Sequence, residues 1–200
     1  MGNRVPFIGL TGGLGAGKSE ALRALAELGA ATISTDAVVH ELLQTDELRD
    51  VVVERLGTGV LRGGALDRSL IAERVFGDDE ARAWLEGVLW PRVGARVADW
   101  RASLDDAAPH PRAAVVEVPL LFESGMESVF DRTIAVVADE AVRAERAGAR
   151  GHASVAGRTG RQLSQQEKSQ RADFTVRNDG TIDELKQSLS RVLDKIEGGS

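Results

Sequence analysis

At 200 residues the chain is long enough for one domain with insertions, and 31 acidic against 25 basic residues give it a net charge of -6. That balance excludes a duplex nucleic-acid surface, which needs a dense basic face, yet leaves room for a local phosphate site. With no cysteine there is no disulfide or thiolate metal centre; no run approaches the roughly 20 apolar residues of a membrane span, no signal-peptide pattern opens the sequence, and a cytoplasmic protein is expected, with no nucleic-acid, membrane or obligate protein partner evident.

The first predicted element is a buried strand, Phe7-Ile8-Gly9-Leu10-Thr11, feeding Gly12-Gly13-Leu14-Gly15-Ala16-Gly17-Lys18-Ser19, which fits G-x-x-x-x-G-K-[ST]. The glycines let backbone N–H groups turn inward, and the helix that follows, marked by Ala21, Leu22, Leu25, Ala26 and Leu28 and closed by Gly29, points its positive end at the same spot. Lys18 is placed to reach the outer phosphates and the Ser19 hydroxyl to ligate Mg²⁺. A mononucleotide with its metal is the expected ligand.

Ala31-Thr32-Ile33-Ser34-Thr35-Asp36 reads as a second strand ending in a carboxylate. Asp36 either caps the helix marked by Val38, Val39, Leu42 and Leu43, or faces the ligand crevice at a strand end and takes a proton from an attacking hydroxyl. Residues 46–104 are predicted helical throughout, in stripes at Leu48, Val51, Val52 and Leu56, at Leu70, Ile71 and Val75, and at Trp84, Leu85, Val88 and Leu89, with a kink or restart at Pro91. So long a break in the βαβ rhythm implies a helical insertion, with Trp84, Trp90 and Trp100 more often core than ligand contacts.

Ala113-Ala114-Val115-Val116-Glu117-Val118 has the continuous apolar character of a central parallel strand. Glu117 occupies the strand-end position from which a carboxylate helps hold Mg²⁺ through water. Beyond it, Leu120, Leu121 and Phe122 are either core or the wall for an apolar substrate arm. Arg132–Val137 and Phe174–Arg177 are the fourth and fifth strands. Between them Arg143, Arg146, Arg150, Arg158 and Arg161 alternate with glycines, the composition of a lid that closes over ATP. Thr181-x-x-Glu184 is a capping box, and Ile182, Leu185, Leu189, Val192, Leu193 and Ile196 give the last helix its apolar face.

The chain resembles the dephospho-CoA kinases, which complete coenzyme A synthesis. The likeness rests on Gly9–Ser19, Thr35-Asp36, Gly64-Ala65-Leu66-Asp67-Arg68, Val118-Pro119-Leu120-Leu121-Phe122-Glu123, Gln162 with Lys168, and Asn178-Asp179-Gly180. It implies a P-loop kinase fold, a five-stranded parallel sheet flanked by helices, with core segments 5–45, 112–140 and 172–197, a helical CoA-binding insertion over 46–111 and a lid over 141–171. It further implies transfer from ATP to the ribose 3'-hydroxyl of dephospho-CoA, with Asp36 as base, Lys18 on the γ-phosphate and Arg146 on the transferred group. Residues 12–19, Arg150 and Asn178 would bind ATP; Asp36, Leu120, Leu121, Phe122 and Glu123 the acceptor; Ser19 and Glu117 the metal. Three positions depart from the family, which usually has Asp at 117, His at 90 and Asp at 177. Other small-molecule or nucleoside monophosphate kinases, and a non-catalytic nucleotide-binding relative, are the alternatives.

Overall fold

Five strands form one parallel sheet: β1 (Phe7–Gly12), β2 (Ala31–Ser34), β5 (Ala114–Glu117), β6 (Arg132–Val137) and β7 (Phe174–Arg177), in the order β2-β5-β1-β6-β7. The computed structural model describes residues 5–149 and 162–198. Two compact units divide the chain; Met1–Ser34 with Ser103–Ser200 contains the sheet, and Thr35–Ala102 is the other.

In the sheet unit, alternation across the strands decides what each face packs against. Ile8, Leu10, Val115, Ile134, Val136 and Val176 pack with helix α1 (Lys18–Glu27) and helix α8 (Ile182–Gly198), whose Leu185, Leu189 and Leu193 are each 1% exposed or less. The opposite face is covered by the chain after β5. A Cβ on Gly9 would lie 2.9 Å from the Phe130 ring and 3.1 Å from Leu121, and Phe130 stacks on Phe7 with ring centroids 4.8 Å apart. Thus glycine at 9 is what lets Leu121 and Phe130 lie against the sheet. Two further helices, α6 (Glu140–Ala149) and α7 (Gln165–Arg171), follow β6.

The second unit holds α2 (Thr35–Leu42), α3 (Asp46–Leu56), α4 (Arg68–Val75) and most of α5 (Asp79–Ser103). It is not helical throughout as predicted: β3 (Leu61–Arg62) and β4 (Ala65–Leu66) pair as an antiparallel hairpin. Gly63 and Gly64, at φ 62° and 87°, supply the two positive-φ residues that a tight hairpin turn requires. Asp67 then caps α4, accepting from Ser69 N at 2.9 Å and Leu70 N at 3.1 Å. Nor does Pro91 restart a helix. It lies inside the 25-residue α5, where it removes the N–H that would bond Gly87. The three tryptophans depart from a core assignment too: Trp84 and Trp100 are half-buried and Trp90 is 38% exposed, because large rings on a helix of so small a unit find little interior to fill.

Candidate active site

The phosphate loop is braced from three sides, all within the sheet unit. From below, Ala16 points into the core between α1 and the sheet, fully buried. From the side comes Asn178, just past β7. It is 3% exposed, its Nδ2 donates to Ala16 O at 3.0 Å, and its own N–H donates to Val137 O at 2.8 Å. Gly17 is required there, since its φ of 89° is left-handed and a Cβ would collide with the Asn178 amide. From above, α6 presents two arginines at i, i+3 spacing. Arg143 Nε donates to Leu14 O at 2.9 Å and Arg146 Nη1 to Asn178 O at 2.9 Å.

Lys18 opens α1, and its Nζ donates to Gly12 O at 3.0 Å and Gly13 O at 3.2 Å. Lys18 and Ser19 sit in the first turn, where N–H groups have no intrahelical acceptor and the helix dipole is positive. The Ser19 side is exposed. Helix-start N–H donors and one ammonium thus meet at the same loop, which is the chemistry that holds a polyphosphate.

Beside the loop, Glu117 ends β5, is 6% exposed and pairs in register with Leu10 of β1 and Ser34 of β2. The segment that follows is tied down at each step. Val118 N donates to Leu10 O at 2.9 Å. Pro119 O accepts from the Thr11 hydroxyl at 3.2 Å and from Lys168 Nζ at 2.7 Å. Leu121 and Phe122 are turned into the interior, at 0% and 3% exposure, while Leu120 is half-buried. Glu123 Oε1 takes Lys168 Nζ at 3.0 Å and Leu163 N at 2.9 Å. Arg171 lies over the Phe122 ring, 4.9 Å from its centroid, and pairs with Glu127.

Asp36 belongs to the second unit. It is the second residue of α2, and its Oδ1 accepts from Arg68 Nη2 at 3.2 Å. The helix begins at Thr35, so Asp36 lies one residue inside it and not at the capping position. Of the remaining expected ligands, Arg150 lies outside the described residues, as do Arg158 and Arg161.

The comparisons with known proteins follow the same geometry. The family model of dephospho-CoA kinase matches residues 6–184. The chain belongs to the dephospho-CoA kinase family. The dephospho-CoA kinase of Protochlamydia amoebophila is 38% identical over 194 residues, covering 95% of this chain and 96% of that one. That of Deinococcus radiodurans is 37% identical over 193 residues, covering 95% and 92%. Among solved structures, one from Thermus thermophilus superposes with a TM-score of 0.80 at 30% identity, covering 97% of this chain and 99% of its own. The dephospho-CoA kinase from Campylobacter jejuni gives 0.67 at 26%, covering 96% and 97%.

Arg177 bridges Asp139 at 2.6 Å and Asp179 at 2.9 Å, joining the ends of β6 and β7 beside Asn178. The Asp179 carboxyl is held below its ordinary value, first by the backbone N–H of Asp139 and then by the Arg177 guanidinium. The sequence reading took Arg143 only as one of the lid arginines and Lys168 only as part of the family likeness, and gave Gln165 no role. Gln165 makes a two-way bond with Ala138, donating to its carbonyl at 2.9 Å and accepting from its N–H at 2.9 Å. A signal existed for Arg143, because its i, i+3 spacing from Arg146 puts both on one helix face. None existed for the burial of Lys168.

Proposed function

We propose that this chain transfers the γ-phosphoryl group of ATP to the ribose 3'-hydroxyl of dephospho-CoA, giving coenzyme A and ADP as the last step of coenzyme A synthesis. The observation that carries the reading is an intact, three-sided brace around the phosphate loop in a chain that matches this family over residues 6–184. A cysteine-free chain suits a reducing cytoplasm.

The loop residues 12–19 cradle the phosphates, with Lys18 leaving its loop carbonyls to meet the β- and γ-phosphates. Asn178 holds the loop in shape from behind. Asp36 aligns the 3'-hydroxyl and takes its proton as the new O–P bond forms and the bond from the γ-phosphorus to the bridging oxygen of ADP breaks. Arg146 offers positive charge to the transferred group, and Arg150 is assigned to ATP. Leu120 lines the acceptor side, backed by Leu121 and Phe122, with Glu123 fixed behind them.

The donor set also fits Mg²⁺. Among the described residues there is no cluster of three His, Asp or Glu that would cage a metal. An ion that keeps several waters and takes its other ligands from substrate phosphates needs only sparse protein donors, and Ser19 with Glu117 would supply them. When bound, it neutralises charge developing between the β- and γ-phosphates.

Incubation with Mg-ATP and a panel of acceptors, with products identified by mass, tests the reading. Dephospho-CoA should gain one phosphoryl group far faster than AMP or shikimate. Preferential transfer to either of those would overturn it.

A further inference from the structure

Lys168 is the largest fully buried side chain in the described structure, at 0% exposure. An ammonium in such a place costs several kcal/mol of lost hydration, and a well-packed apolar replacement for a buried ion pair is often as stable or more so. Stability alone is therefore a poor reason for it. Its partners suggest another. Nζ reaches Pro119 O at 2.7 Å and Glu123 Oε1 at 3.0 Å, and that same Pro119 carbonyl accepts the hydroxyl of Thr11, the residue before the phosphate loop begins. Glu123 Oε1 in turn receives Leu163 N. One ammonium thus ties α7 to the turn after Glu117 and, through a shared oxygen, to the strand that feeds the loop.

The second Glu123 oxygen points the same way. Oε2 is buried and has no hydrogen-bond partner among the described residues. A buried acceptor left unmade is costly, so a carboxylate selected for stability alone would be a poor fit here.

We propose that Lys168 is a positioning residue. Through Glu123 and Pro119 it fixes the Glu117–Glu123 segment against the phosphate loop, so that groups acting on the acceptor and metal stand in register with the bound nucleotide. It touches no substrate itself. The choice of acceptor rests on the function proposed above; the positioning role does not.

Removing Lys168 alone strands a buried carboxylate, so the informative variant is the double Lys168→Met, Glu123→Gln, which discards both charges and keeps an acceptor for Leu163 N. Kinetics use whichever acceptor the parent phosphorylates; if that is not dephospho-CoA, the function reading fails while the positioning claim is still read. The double variant should melt within a few degrees of the parent, keep KM for ATP within about twofold, and lose about 10- to 100-fold in kcat/KM for the acceptor, the usual cost of removing an outer-shell support. Amide exchange at Val118, which needs no substrate, should rise by about tenfold, as expected of a locally loosened segment. Parent-like kcat/KM overturns the proposal, and so does parent-like protection of Val118. In the double variant, a lower melting temperature with unchanged turnover per folded molecule would mark the pair as a stability element and also overturn it.

Discussion

Asp36 and Arg146 are the residues at which structure and chemistry have to be separated by experiment. Asp36 stands one position inside α2 and accepts from Arg68, so an Asn in its place keeps the hydrogen bond but not the charge. Asp36→Asn should lower kcat by about 10²- to 10⁴-fold, the span of general acid–base catalysis, with ATP affinity and melting temperature little changed. A fall of less than about threefold would leave the reaction without this base and reduce Asp36 to an orienting group. Arg146 is different, because its Nη1 already has a partner in Asn178 O. Its charge matters most when negative charge moves onto the transferred group, so Arg146→Ala should reduce kcat more than it raises KM for ATP. The reverse split, KM raised and kcat kept, would assign it to holding ground-state nucleotide.

At the level of elements, what was legible in the sequence follows physical locality. The three central strands were readable because such strands are apolar on both faces, as in Val115-Val116 and Ile134-Ala135-Val136. The phosphate loop was readable because its residues are consecutive. The β3–β4 hairpin was hidden by the apolar spacing of the helices around it, although Gly63-Gly64 is a two-residue turn signal in its own right. Strand order, the brace from Asn178 and the buried Lys168–Glu123 pair depend on contacts between segments far apart in sequence, which no local period encodes. Helix caps are the opposite case and give a pH prediction. Asp67 at α4, Glu167 at α7 and Glu184 at α8 are held below their ordinary values of 3.8, 4.5 and 4.5, each by the groups it caps: Asp67 first by the Ser69 side chain, Glu167 first by the Ser164 hydroxyl, Glu184 first by the Thr181 N–H. Carboxyls depressed in the folded state contribute stability above those ordinary values and lose it as pH falls through the lowered ones. Melting temperature should therefore be flat from pH 7 to about 5 and fall below about 4, where carboxylates protonate. Thr181→Ala, which removes the acceptor for Glu184 N at 3.3 Å, should cost about 0.5–2 kcal/mol at neutral pH. Thermal melts of parent and variant across this range check both; a parent melting temperature that rises on acidification would refute the cap assignment.

For the molecule as a whole, the nucleotide site and the fold of the sheet unit are parts of one structure. Residues 12–19, Arg143, Arg146, Gln165 and Asn178 come from the whole length of that unit, and they meet only when β1, β6 and β7 are paired and α8 is packed beneath them. A ligand that needs this assembly binds the folded chain and not the unfolded one, so it must stabilise by mass action. At free Mg-ATP about 100 times its dissociation constant the gain is about 2.7 kcal/mol, which for a chain of this size raises the melting temperature by about 5–11 °C. Lys18 is the point charge on which the phosphates depend, and its Nζ donates to Gly12 O and Gly13 O of the loop itself. Lys18→Ala should accordingly melt near the parent when free and lose most of the Mg-ATP shift, together with turnover. Scanning calorimetry of both proteins, with and without Mg-ATP, makes the comparison without any acceptor, so it bears on nucleotide binding alone. An equal shift in parent and variant would place the nucleotide away from this loop, and no shift in the parent would remove the loop from function altogether.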